Sequence, residues 1–183
     1  PLELEAGAYP VDEWYDALDG KSRTNYGCSA GMLSIRETTF NPAYKSKFAG
    51  DFVYDITGDA KGSHTSMKWS KTVATPDQIK KIGAAIETGI KQGAIGVGHT
   101  PGYMVDGVTQ AESQLAQQLA GKYGQAVFVH GRYSSQMPPA SGLLGFHEMM
   151  APQAVYGGGL VLQHMTAQTL NDTPAALKLI DDL

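Results

Sequence analysis

The sequence predicts an α/β fold of consecutive parallel β/α units, and three observations carry that prediction. Through the second half of the chain, short apolar runs alternate with helical patterns in the order strand, helix, strand, helix, strand, helix. The helical segments carry start signals, the clearest being Thr75-Pro76-Asp77-Gln78, where Thr75 can cap and Pro76 suits the first helical position. Two of the apolar runs end in a histidine, His130 and His164, 34 residues apart, about the length of one β/α unit. Such an alternation builds parallel strands joined by helical crossovers.

In chain order, the strand-like runs are LELE at 2–5, TNYGCS at 24–29, GAIGVG at 93–98, AVFVH at 126–130 and GLVLQH at 159–164. After Thr75, the spacing of Ile79, Ile82, Ile86 and Ile90 predicts a helix with one apolar face, stopped near Gly93. Thr109-Gln110-Ala111-Glu112 reads as a capping box opening a helix through Leu115 and Leu119. Asp172 or Thr173 with Pro174 opens another. Residues 37–74 fit no period yet are rich in aromatic side chains, which predicts a structured insertion or lid. Residues 131–158 form a long excursion around a short helix near 143–151, with turns at Pro138-Pro139 and Gly157-Gly158-Gly159.

With 42% hydrophobic and 17% charged residues in 183, the chain can bury one sizeable core. No apolar stretch approaches the roughly 20 residues that span a bilayer, so no membrane association is expected. A net charge of −4, with 14 scattered Lys and Arg, argues against a nucleic-acid partner. Cys28 is the single cysteine and fits a reducing compartment. No targeting segment opens the chain, and the expected location is cytoplasmic. A chain that opens on a strand at Pro1 and closes in a helix at Leu183 without a stop signal is expected to be a piece of something longer.

The chemistry-bearing residues collect at strand ends. Taken alone, His130 reads as a core histidine satisfied by a backbone carbonyl. Paired with His164 at the carboxyl rim of parallel strands, it reads as half of a zinc-type site. Glu3 and Glu5 share one face of a strand and are either solvated edge carboxylates or, for Glu5, a third metal ligand. Arg132 suits a substrate carboxylate or a structural ion pair. Tyr103 in HTPGYM can hydrogen-bond a substrate or pack, and His99 can line the pocket or lie at the surface. His64 is expected to be exposed and His147 to pack or cap. GAIGVG is not the dinucleotide fingerprint, and Ser134-Ser135 lack a nucleophile elbow, so neither a nucleotide cofactor nor a serine hydrolase is expected.

Taken together, TPDQIKKIGAAIETGIKQGAIGVG, GAIGVGHTPGYMVDGVTQAE, VFVHGR and LVLQH, with the looser LELEAGAYPV and NYG segments, resemble the metal-dependent amidohydrolase superfamily. The resemblance is to its D-aminoacylase branch, the N-acyl-D-amino-acid deacylases, and spans nearly the whole chain. It implies that residues 1–183 are part of a (β/α)8 TIM barrel, about strands two to six, with 37–74 as an irregular insertion. It further implies that His130 and His164 bind zinc at strands five and six and that a small amide is hydrolysed with metal assistance. The family's H-x-H pair and its general acid–base aspartate lie on strands that these residues do not include, so the isolated fragment is expected to be inactive.

The chain departs from that pattern at strand two. Where the branch places a metal-binding cysteine, LELEAG offers Glu5 followed by Ala6, and Cys28 lies in the next strand. Other superfamily members use a carboxylate there, so the ligand role passes to Glu5, with Glu3 and Cys28 as the other choices. Two further readings stay open: a noncatalytic fragment that associates with itself to cover exposed strand edges, and an amidohydrolase acting on cyclic amides or dipeptides.

Overall fold

In the computed structural model the structure describes residues 1–42 and 68–182. Among them, five parallel strands form one sheet in sequential order: β1 (Leu2–Ala8), β2 (Gly27–Gly31), β3 (Gly96–His99), β4 (Ala126–Val129) and β5 (Gly159–Leu162). A doubly wound sheet reverses its strand order at a switch point and this one does not; because all its pairings are parallel, every carboxyl end lies at the same rim. The intervening helices are α1 (Val11–Leu18), α2 (Met32–Phe40), α3 (Lys68–Lys71), α4 (Pro76–Lys91), α5 (Gln110–Lys122), α6 (Gly142–Tyr156), α7 (Met165–Thr169) and α8 (Thr173–Asp181).

Alternation along the strands sends Cys28, Ala30, Val97, Val127 and Val129 into one core with Ile82, Ile86 and Ile90 of α4 and Ala116, Leu119 and Ala120 of α5. The α4 start is a complete capping box: Gln78 N–H donates to the Thr75 hydroxyl, and Thr75 N–H donates to Gln78 Oε1 at 2.9 Å. On the opposite face β2 and β3 present the small residues Ser29 and Gly98, beside Phe128 of β4. Ser29 Oγ donates to Leu4 O at 2.6 Å, and a Cβ at Gly98 would stand 2.6 Å from Glu5 O and from Ser29 Oγ. Thus β1 and β3, which are not hydrogen-bonded neighbours, are in backbone contact, and the sheet is strongly curled.

Several sequence expectations are corrected. The first strand runs on to Ala8, and the second begins only at Gly27. The capping box at Thr109 does not form: α5 starts there without a side-chain cap. Its acidic member Glu112 is instead drawn to the buried Arg36, whose Nη1 donates to Glu112 Oε2 at 2.5 Å. The helix near 143–151 extends over Gly142–Tyr156, opened by Ser141, whose Oγ accepts from Leu144 N–H. Of the irregular stretch 37–74, residues 37–40 finish α2 and 68–71 form α3. The remainder, with His64, lies outside the described residues. No helix among the described residues is long and apolar enough to cross a membrane.

Candidate metal centre

The carboxyl rim of the curled sheet brings Glu5, His130 and His164 together, with one ligand-type atom from each lying within 4.8 Å of the others. His130 follows the last residue of β4, and its backbone is fixed on both sides: its N–H donates to His99 O at 3.0 Å and its carbonyl accepts from Gly102 N–H at 3.2 Å. His164 lies two residues past β5 in the left-handed region, at φ 52° and ψ 30°. A residue other than glycine held there is strained, and such strain concentrates at functional sites. The two imidazoles meet edge to face, 5.2 Å between centroids.

Glu5 reaches the pair from β1, whose register against β2 shifts between Glu3 and Ala8. The Glu3 carboxylate accepts backbone hydrogen bonds from Ala6 and Gly7 within this irregular stretch, and burial raises its pKa more than those bonds lower it. Glu3 is therefore engaged with its own strand. Burial also pushes the Glu5 carboxyl upward, but its contacts with His130 and His164 outweigh that effect and hold it below the usual value. Glu5 Oε2 contacts His164 Nε2. Glu5 Oε1 lies 3.1 Å from His130 Nδ1, so the same carboxylate faces both imidazoles. The Glu5 and His130 side chains are 18% and 17% exposed, whereas His164 is 50% exposed, so the cluster opens to solvent on the β5 side.

The remaining sequence candidates divide. Tyr103 stacks on His130 with centroids 4.3 Å apart and planes 21° from parallel. His99 is fully buried rather than at the surface: its Nε2 lies 3.0 Å from Ser113 Oγ, and burial, then Arg132 and Arg36, push its pKa down to about 3. It is a neutral imidazole inside the β3–α5 interface. Arg132 is turned into the protein: Nε donates to Glu148 Oε2 at 2.7 Å, Nη2 to Val108 O at 2.5 Å and Nη1 to Val105 O. Cys28 is buried in the main core, where burial raises its thiol to about 12, and it stands outside the cluster. His147 is exposed on α6.

Sequence reading named the three clustered residues but not the glycines that let them meet. Gly98 and Gly102 each accept a close approach that a Cβ would block, and their signal was glycine inside a strand and glycine after proline.

Among solved structures, the chain is similar to an N-acyl-D-glutamate deacylase from Bordetella bronchiseptica, crystallised with zinc and a phosphonate inhibitor that mimics the tetrahedral intermediate of its reaction. The TM-score is 0.65 at 16% identity, over 94% of this chain and 31% of that one. At that identity the likeness concerns the fold, and the sequential parallel sheet is part of a (β/α)8 barrel. No protein-family model and no curated protein sequence matches the chain.

Proposed function

We propose that Glu5, His130 and His164 form a zinc-binding centre, and that the chain is the metal-ligating part of an amidohydrolase acting on a small amide, with N-acyl-D-amino acids as the substrate class. The observation that carries this reading is the convergence of three donors from three different strands on one solvent-open point. Two imidazoles and a carboxylate are the donor set of many catalytic zinc sites, which leave a fourth position for water or substrate. The similarity to a zinc-complexed deacylase supports the same reading.

When bound, zinc would supply Lewis-acid activation of a water and of the amide carbonyl at neutral pH. The chain's own residues then have separate tasks. Glu5 contributes the negative charge that two neutral histidines lack, and its lowered pKa keeps it ionised across the neutral range. His164, the most exposed of the three, borders the side from which a substrate enters. Arg132, with its guanidinium bound to Glu148 and two backbone carbonyls, stiffens the loop after β4. Assaying the zinc-loaded chain, and any longer polypeptide containing it, against N-acyl-D-amino acids, hydantoins and dipeptides tests the reaction class. Preference for either of the last two would replace the deacylase assignment.

The sheet edges favour a second reading, self-association. Among the described residues β1 and β5 each pair on one side only, and a cavity of about 500 Å³ runs along β5 between Met150, Leu160, Leu162 and Ile180. Open parallel edges with apolar flanks favour pairing with a second copy. Sedimentation over a concentration series tests this; a monomer throughout would remove it.

A further inference from the structure

One turn touches two of the three clustered residues. The turn Pro101–Tyr103 follows β3, and its Gly102 lies flush on His130: a Cβ there would stand 2.5 Å from His130 Cδ2 and 3.0 Å from Nε2. Gly102 N–H also donates to His130 O. Next along the chain, the Tyr103 ring covers the His130 ring in parallel stacking at 4.3 Å, and its side chain is hydrogen-bonded to Glu5. The Glu5 contact starts from β1 and the His130 contact from β4, so the turn bridges two strands that are not neighbours in the sheet.

From this we infer that Tyr103 and Gly102 are positioning residues that pre-set His130 and Glu5 to receive a metal ion. The inference rests on the zinc-centre reading. Its physical basis is rotational. The terminal torsion of a histidine is broad and roughly two-fold, so an unconstrained ring would turn either Nδ1, a ligand, or Cδ2, which is none, to the same point. With Gly102 seated against the Cδ2–Nε2 edge and Tyr103 stacked over the face, the ring is held with Nδ1 facing Glu5. Fixing the ring and the carboxylate before the ion arrives removes an ordering cost from binding, as outer-shell partners of metal ligands do. Tyr103 is 39% exposed, so its replacement leaves the buried core intact.

The test combines zinc affinity, measured by chelator competition, with proton NMR of the histidine rings in metal-free protein. Tyr103→Ala is expected to weaken zinc about 10- to 100-fold. Tyr103→Phe keeps the stack but loses the hydroxyl, and should fall between the parent and Tyr103→Ala. In the metal-free chain the His130 ring protons should carry an upfield ring-current displacement that persists in Tyr103→Phe and vanishes in Tyr103→Ala. Thermal unfolding of both variants confirms that they fold. Equal zinc affinity in the parent and Tyr103→Ala, or His130 ring signals indifferent to that change, would overturn this inference alone. A parent chain that binds no zinc would overturn the metal reading and this inference with it.

Discussion

Glu5 and His164 are in hydrogen-bond contact although they extend from opposite edges of the five-stranded sheet. Strands lie about 4.8 Å apart, so in a flat sheet β1 and β5 would be separated by about 19 Å. The contact therefore measures curvature. That curvature depends on small residues on the concave face, where Ser29 and Gly98 let the backbone of β1 close over β2 toward β3. A flatter sheet would keep the same side chains and lose the cluster.

Gly98→Ala should accordingly act at a distance. Its Cβ would collide with Glu5 O, which overpacks the concave face at a cost of about 1–3 kcal/mol. Urea unfolding should show that loss, and zinc binding should weaken although no ligand has been changed. A variant with parental stability and affinity would show that the curl does not depend on this glycine.

The Arg36–Glu112 pair, both side chains fully buried, ties α2 to α5. The same guanidinium reaches Trp69 O at 2.7 Å and Gly107 O at 3.0 Å, so it also holds α3 and the loop before α5. Arg36→Met leaves Glu112 buried without its partner and should cost about 3–5 kcal/mol by chemical denaturation. Removing both partners with Arg36→Met and Glu112→Leu should recover much of that loss. A single variant as stable as the parent would contradict the structural role assigned to the pair.

These contrasts show what local sequence carries. His130 and His164 were legible because each ends an apolar run, and Glu5 because residues two apart share a strand face. The α4 helix was legible because Thr75, Gln78 and the isoleucine face all express local rules. Glu112 was misread because Thr-x-x-Glu fits a capping box equally well, while its true partner Arg36 lies 76 residues away. The curl, the stacking of Tyr103 on His130 and the inward turn of Arg132 are long-range relationships with no periodic signature.

Cys28 reports on the core through pH. Its buried thiol titrates near 12 in the folded chain, against an ordinary value near 9. The folded state thus keeps its proton where the unfolded chain releases it. The resulting stability is intact below about pH 9 and declines as pH rises from there toward 12. At pH 8 a thiol reagent should leave the native chain unmodified and label it at the rate of unfolding, with fast reaction in urea. Rapid labelling of native protein would place Cys28 outside the core.

Arg132 offers a test of whether a candidate substrate anchor is structural. Its three hydrogen-bonded nitrogens use the planar fork, which lysine cannot reproduce. Arg132→Lys should therefore lower stability by about 1.5–3 kcal/mol per bond to the charged group that is lost, read by urea unfolding at neutral pH. Unchanged stability, with weakened binding of an anionic amide, would instead assign the guanidinium to the substrate.

The most direct test of the account is zinc titration of the purified chain beside its Glu5→Gln, His130→Ala and His164→Ala variants, with bound metal counted by elemental analysis. The account predicts near-stoichiometric zinc in the parent chain and a loss in each variant larger than the roughly 10- to 100-fold expected for an outer-shell change. A parent chain that takes up no zinc, or zinc retained unchanged in all three variants, would contradict the assignment of these residues as a metal centre.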